Sequence, residues 1–130
     1  QFAKENPDNV GGIFEEFLLQ GLNVDCFTFT EPWFDIGSFP AYLEATRALV
    51  GENVLFGDRA TKERSTLEGS VVIGDGSKVE NSTLKNTVIF HNCTITNCIL
   101  EDCIIDDACI LKGVDITGKM IRRNTIIERS

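Results

Sequence analysis

The fold is decided by residues 64–116, which read RSTLEGSVVIGDGSKVENSTLKNTVIFHNCTITNCILEDCIIDDACILKGVDI. An aliphatic residue recurs there every five or six positions, and a small residue stands two places before it. The aliphatic series is Leu67, Ile73, Val79, Leu84, Ile89, Ile95, Leu100, Ile105, Ile110 and Ile116. The period is too short for a helix-pair repeat and too long for simple strand alternation, so each unit is predicted to be one short strand and a turn.

Three such units are expected to close one coil, so that every third aliphatic residue stacks on one face about 4.8 Å from the next. The three faces carry Ile73, Ile89 and Ile105; Val79, Ile95 and Ile110; and Leu67, Leu84, Leu100 and Ile116. Asn or Asp precedes most of the small residues, where the chain must turn a corner and where these residue types tolerate left-handed backbone. The sequence therefore predicts an all-β solenoid, a parallel β-helix of about three to four coils.

The strictest unit is IGDGSKV at residues 73–79, which resembles the hexapeptide repeat of left-handed parallel β-helices. The left-handed coil is implied by that resemblance, because periodicity alone does not set the hand and most parallel crossovers are right-handed.

One outer wall of the predicted solenoid is apolar. The residue between the small and the aliphatic position points outward, and on the first face it is Val72, Val88 and Ile104, with Phe90 just beyond a corner. We expect this wall to form the interface of a homo-oligomer, a dimer or a trimer. The alternatives are a cover supplied by the chain's own helix or by a missing domain, and scattered surface aliphatic residues.

The cysteines are interpreted as core residues. Cys93, Cys98 and Cys103 are spaced by five and take the small inward position, where free Cys behaves as a small apolar residue. They lack the paired spacing and fourth ligand of a zinc site. Cys109 is expected to face outward, and Cys26 lies outside the repeat, so no disulfide framework is predicted.

Residues 1–50 differ in composition and contain nine of the eleven aromatic residues. A short amphipathic helix is predicted before Gly21, a strand at residues 24–30, and a second helix capped by Ser38 with Pro40 in its first turn. We expect residues 51–63 to be a charged linker and residues 64–130 to be the β-helix domain. The first fifty residues are too few to bury a core alone, so we expect them to be the remnant of a larger α/β domain.

The stretch WFDIGS at residues 33–38, followed by Tyr42 and Ala45, resembles the W-x-D-I-G-[ST]-x-x-x-Y-x-x-A segment that closes the catalytic domain of sugar-1-phosphate nucleotidylyltransferases. In that family a left-handed β-helix follows the catalytic domain, which is the order found here. The resemblance implies a carboxyl-terminal fragment of an enzyme that makes a nucleotide sugar and pyrophosphate, with the β-helix as its oligomerisation or regulatory module.

The resemblance also implies that Asp35 helps to bind Mg²⁺ together with an Asp of the missing domain. The sequence contains neither the glycine-rich triphosphate loop nor its basic residue, so this chain alone is expected to be inactive and to bind no cofactor. Nucleotide and sugar phosphate are expected to bind only to the intact enzyme. Trp33 and Tyr42 are interpreted as packing residues.

Two alternatives stay open. In a hexapeptide-repeat acyltransferase a His at a subunit cleft acts as general base, and His91 is the only His of the chain. It has no obvious acid partner in the sequence. The other alternative is a purely structural oligomerisation module.

Composition excludes several partners. The net charge of −8 argues against nucleic acid, because no basic patch is available to neutralise phosphates. No apolar run is long enough to span a bilayer, and no signal-peptide pattern is found, so a cytoplasmic location is expected.

Overall fold

The computed structural model of the chain describes residues 10–129 and has two units, which divide between Trp33 and Phe34. The first unit contains helix α1 (Gly11–Leu19), as the apolar spacing predicts, and the chain leaves it through Gly21 at a φ of 70°. The strand predicted at residues 24–30 is not formed. Its pattern is that of a strand, but no described strand pairs with its backbone groups.

The second unit begins with helix α2 (Phe39–Val50) and continues as a run of short strands. The strands are β1 (Val54–Phe56), β2 (Thr61–Glu63), β3 (Thr66–Glu68), β4 (Val71–Ile73), β5 (Lys78–Glu80), β6 (Thr83–Lys85), β7 (Val88–Ile89), β8 (Thr94–Thr96), β9 (Ile99–Glu101), β10 (Ile104–Ile105), β11 (Ile110–Lys112), β12 (Asp115–Thr117), β13 (Met120–Ile121) and β14 (Ile126–Glu128). Among residues 10–129 no helix is both long and apolar enough to cross a bilayer.

The strands form three parallel sheets, which are the three walls of a solenoid. Wall A has the order β1-β4-β7-β10-β13, wall B the order β2-β5-β8-β11-β14, and wall C the order β3-β6-β9-β12. Each strand pairs with the third strand before or after it, so three strands make one coil. This confirms the predicted parallel β-helix, and the architecture matches that of the hexapeptide-repeat left-handed β-helix, with about five turns.

The solenoid is longer at its start than the sequence predicts. Residues 51–63, predicted as a linker, contain β1 and β2. The repeat is hidden there because Lys62 stands in register with the inward Val79, at a position where an aliphatic residue is expected. Lys62 is exposed, since the first coil has no neighbour above it.

Inside the solenoid, like residues stack on like. Ile73, Ile89 and Ile105 pair in successive strands of wall A and are fully buried. Leu67, Leu84, Leu100 and Ile116 do the same on wall C, where the two end members are half-buried. Removing such a side chain from water contributes about 1.5–3 kcal/mol to stability, so these columns supply the core that a chain of short strands otherwise lacks.

Wall B corrects one prediction. Ile95 pairs with Leu111, which is fully buried, whereas Ile110 pairs with the outward Thr94. The adjacent aliphatic residues Ile110 and Leu111 allow either register in the sequence, and the 16-residue step of the backbone ladder selects Leu111. The same one-residue shift turns Cys109 inward, where it is fully buried, although it was expected to face outward.

The corners use left-handed backbone, as predicted. Asn81, Asn86, Asn92, Asn97 and Asp102 have φ values between 47° and 55°. The next corner takes this conformation at Ala108, with a φ of 55°, in place of Asp107.

The cysteines of the solenoid are hydrogen-bonded core residues. The Cys98 thiol donates to the carbonyl oxygens of Thr96 (3.3 Å) and Leu111 (3.4 Å), and the Cys98 N–H donates to the Ser82 hydroxyl (3.0 Å). Cys93 and Cys103 repeat this arrangement below Ser77 and Thr87. A small side chain with one polar hydrogen therefore fills the inward position and ties two coils together.

Burial makes these thiols weak acids. It raises the pKa of Cys93 to about 11 and also raises the pKa values of Cys103 and Cys109. Cys26, in the first unit, is exposed, and all five cysteines are free.

We predict that Ellman's reagent at pH 8 modifies Cys26 quickly and the four solenoid cysteines only after unfolding, because the attacking species is an accessible thiolate. Cys26→Ser should abolish the fast phase, and rapid reaction of a second thiol in the folded protein would contradict the assignment.

Since folding raises the pKa of the Cys93 thiol, the associated stability is present below the pKa of an unfolded thiol, about 8.5, and is lost as the pH rises toward 11. Urea unfolding at pH 7.5 and pH 10 measures this loss.

Candidate functional site

Helix α2 covers the apolar part of wall A. Leu43 of the helix forms a buried cluster with Val88 and Ile104, and Phe39, Tyr42, Val72 and Phe90 pack at its edge. Val88 is 3% and Ile104 is 1% exposed. The chain's own helix therefore covers Val88 and Ile104, which is the alternative that the sequence left open beside a subunit interface.

The ends of helix α2 are determined by local sequence. The Ser38 hydroxyl accepts a hydrogen bond from the Ala41 N–H (3.3 Å), and Pro40 stands in the first turn, as predicted. The helix ends at Gly51, whose φ of 66° suits glycine. Near this end Arg47 forms an ion pair with the corner residue Asp102. The helix is thus held on wall A by apolar packing and by one exposed ion pair.

A groove remains between helix α2 and the first coils of wall A. Its cavity volume is about 390 Å³, and its walls include Tyr42, Leu49, Val72 and Phe90. The rings of Tyr42 and Phe90 meet edge to face with centroids 6.1 Å apart. His91 contributes a polar side chain to this mostly apolar surface.

The acid partner of His91 is Asp107, which sequence reasoning missed. The His91 Nδ1 lies 2.9 Å from Asp107 Oδ1, and the backbone N–H of His91 donates to the same oxygen at 2.9 Å. The backbone hydrogen bond and then the bond to the ring hold the pKa of Asp107 below its usual value. The two residues are one 16-residue coil apart, so applying the coil step to polar residues would have found the pair.

This pairing defines what the imidazole can do. In the tautomer in which Nδ1–H donates a hydrogen bond to the Asp107 carboxylate, Nε2 carries the free lone pair and can accept a proton. Asp107 also has a structural role, because Asp75, two coils earlier at the same corner, makes the same type of bond, accepting from the Asp58 N–H (2.9 Å). At this corner the Asp107 carboxylate therefore both stabilises the turn and orients the exposed His91 imidazole.

Asp35, the predicted Mg²⁺ ligand, is exposed and lies in the loop before helix α2. Within residues 10–129 no group of three or more His, Cys, Asp and Glu side chains is arranged to hold a metal ion. Asp35 alone offers one carboxylate. The structure does not bring Asp35 and His91 into one site.

Comparisons with known proteins give little beyond the fold. No family model matches the chain, and no curated protein matches it. Among solved structures it is similar to a hexapeptide transferase family protein from Anaplasma phagocytophilum, with 20% identity and a TM-score of 0.46. The match covers 59% of this chain and 63% of that chain, so less than two thirds of that protein is spanned. We base no functional assignment on this similarity.

We predict that Ile104→Glu lowers the free energy of unfolding by about 3–5 kcal/mol, because it places an unpaired charge beneath helix α2. The matched control is Ile99→Glu. Ile99 occupies the equivalent outward position on wall C but is 54% exposed, so its effect should stay within about 0.5 kcal/mol. Both values come from urea unfolding. Equal effects of the two substitutions would show that the helix does not cover Ile104 in solution.

Proposed function

We propose that this chain is the carboxyl-terminal part of a sugar-1-phosphate nucleotidylyltransferase and that its β-helix anchors and assembles the catalytic domain. One observation supports this above the others. The segment resembling the end of that catalytic domain runs through Asp35 to the Ser38 cap of helix α2, and helix α2 is packed on the solenoid through Leu43. From Phe34 onward this segment belongs to the same folded unit as the β-helix, whereas Trp33, the first residue of the motif, belongs to the first unit.

The exposed apolar surface of the first unit also supports a missing catalytic domain. Among residues 10–33, eight large apolar side chains are at least half exposed: Val10, Phe14, Leu18, Leu19, Leu22, Phe27, Phe29 and Trp33. Phe27 is 88% exposed. Surfaces of this kind are normally covered by protein. A catalytic domain would supply that cover and a strand partner for residues 24–30.

In this proposal Asp35 would supply one of the oxygen ligands that hold a Mg²⁺ ion, and the bound ion would supply positive charge to the transferring phosphate. An exposed carboxylate is suited to that role, and the other ligands would come from the catalytic domain and the substrates. The sugar-phosphate oxygen would attack the α-phosphorus of the nucleoside triphosphate, and pyrophosphate would leave with the electron pair of the broken P–O bond. The products are a nucleotide sugar and pyrophosphate.

We further propose that the protein is cytoplasmic and that the solenoid forms a homo-oligomer, a dimer or a trimer. Val88 and Ile104 are covered by helix α2, so any such contact must use other solenoid surface. Apolar residues of the first coil remain half exposed, among them Leu55 and Phe56.

The test uses the natural polypeptide that contains this sequence, assayed for Mg²⁺-dependent pyrophosphate release with a panel of nucleoside triphosphates and sugar 1-phosphates. We expect Asp35→Asn to lower kcat/KM on the order of 100-fold, because it removes a ligand charge from the metal. Glu44→Gln is the control, since Glu44 is an exposed carboxylate on helix α2 of the same unit. Absence of transfer with every pair of substrates, or an unchanged rate in Asp35→Asn, would overturn the proposal.

A second candidate function is acyl transfer, which is favoured by the pair of His91 and Asp107. In that reaction Nε2 of His91 would take the proton of an acceptor hydroxyl or amine while the acceptor attacks the carbonyl carbon of a thioester. The C–S bond would then break, and the leaving thiolate would take the proton back from the imidazolium. Asp107 would orient the ring and stabilise its positive charge.

For acyl transfer we predict that His91→Ala lowers the rate with an acyl-CoA donor by about 10²–10⁴-fold, which is the usual contribution of a general base. Asp107→Asn should lower it less, and Asp75→Asn should leave it unchanged. Asp75 is the matched control because it bonds the backbone of the preceding coil as Asp107 does, but has no such bond to a His ring. Free CoA released from an acyl-CoA panel measures the rate. An undetectable rate in the unmodified protein, or equal rates in the three variants, would exclude this function.

A further inference from the structure

The groove beside helix α2 has the dimensions and lining of a small-molecule site. Its volume of about 390 Å³ lies within the usual range for ligand pockets, about 300–1,000 Å³. Tyr42, Val72, Val88 and Phe90 give it an apolar floor and one aromatic side. At the rim, Leu49 is 77% exposed, so the groove is open to a ligand from solvent.

One end of the groove is polar and acidic. His91 lines the cavity, and its ring is held by Asp107. The Asp107 carboxylate lies against the His91 ring, whereas the Asp75 carboxylate accepts from the Asp58 N–H of the preceding coil, on the side away from His91. His91 therefore lies beside one carboxylate, that of Asp107, in a chain of net charge −8. An anionic ligand would be repelled at this end, whereas a cationic hydrogen-bond donor would be attracted.

We propose that this groove binds a small molecule with an apolar or aromatic body and a primary ammonium head. The body lies against Val72 and the rings of Tyr42 and Phe90. The ammonium lies at the corner, where it donates to Nε2 of His91 and is attracted by the carboxylate of Asp107. Ile36 lines this groove but Asp35 does not, and the proposal goes beyond nucleotidyl transfer and requires no catalysis by His91.

The experiment titrates three probes of one shape into the protein carrying ¹³C-labelled valine and isoleucine methyl groups. The probes are 2-phenylethylamine, 2-phenylethanol and phenylacetate, which differ in the charge and hydrogen bonding of the head. We expect the amine to shift the Val72 and Val88 methyl resonances and to bind about tenfold more tightly than the alcohol, with phenylacetate weakest. Raising the salt concentration from 0.05 to 0.5 M should weaken the amine most.

Two substitutions of exposed residues distinguish binding in the groove from attraction by the overall negative charge of the protein. Leu49→Lys places a cation at the rim and should weaken amine binding at least about tenfold. Ile99→Lys makes the same charge change on wall C and should have little effect. His91→Gln and Asp107→Asn should each reduce the preference for the amine over the alcohol.

Three results would overturn the proposal. They are equal binding of phenylacetate and the amine, equal effects of Leu49→Lys and Ile99→Lys, and no methyl shifts at millimolar amine. Methyl shifts that depend on protein concentration and not on the probe would assign the groove to a second copy of the chain, and would also overturn it. None of these results depends on nucleotidyl transfer, so the two proposals fail separately.

Discussion

The structure depends on the parallel backbone ladder, which joins each strand to the strand three places later in the sequence. This ladder sets the length of a coil at 16 residues in most of the solenoid, and every other feature has to fit it. It stacks Ile on Ile and Leu on Leu, it places three of the four buried thiols below a hydroxyl, and it brings Asp107 next to His91. The pairing of His91 with Asp107 is therefore a consequence of the same coil length that builds the core.

Much of the solenoid was predictable because its side-chain pattern repeats with that spacing. The inward residues of walls A and C, the left-handed Asn corners and the cap of helix α2 follow from local residue preferences. The prediction of inward positions failed where the residue type did not indicate whether the side chain points into the solenoid. Ile110 and Leu111 are both aliphatic, so only the ladder decides which one is buried. Lys62 occupies an inward position at an exposed end, where burial does not select for an apolar side chain.

The functional residues were harder to predict, because their neighbours are distant in sequence. The apolar wall was recognised, but its cover by the chain's own helix was only an alternative to a subunit interface, since Leu43 and Ile104 are far apart in sequence. Periodicity shows which side chains point outward and gives no information about which element packs on them. His91 was recognised as a candidate base because it is the only His of the chain, whereas Asp107 was missed because it lies one coil away in sequence. The repeat was used to sort apolar residues and was not applied to the acids.

Ser70 shows how the solenoid accommodates a change in chain length. The first coil step is 17 residues, from Val54 to Val71, and the next step on the same wall is 16, from Val72 to Val88. The extra residue lies at the corner of Gly69 and Ser70, and the buried Ser70 hydroxyl has no hydrogen-bond partner among residues 10–129. A single insertion is thus tolerated at a corner at the cost of one orphaned polar group. Within a strand it would turn every following side chain to the opposite face, so such a protein can change length safely only by whole coils or at its corners.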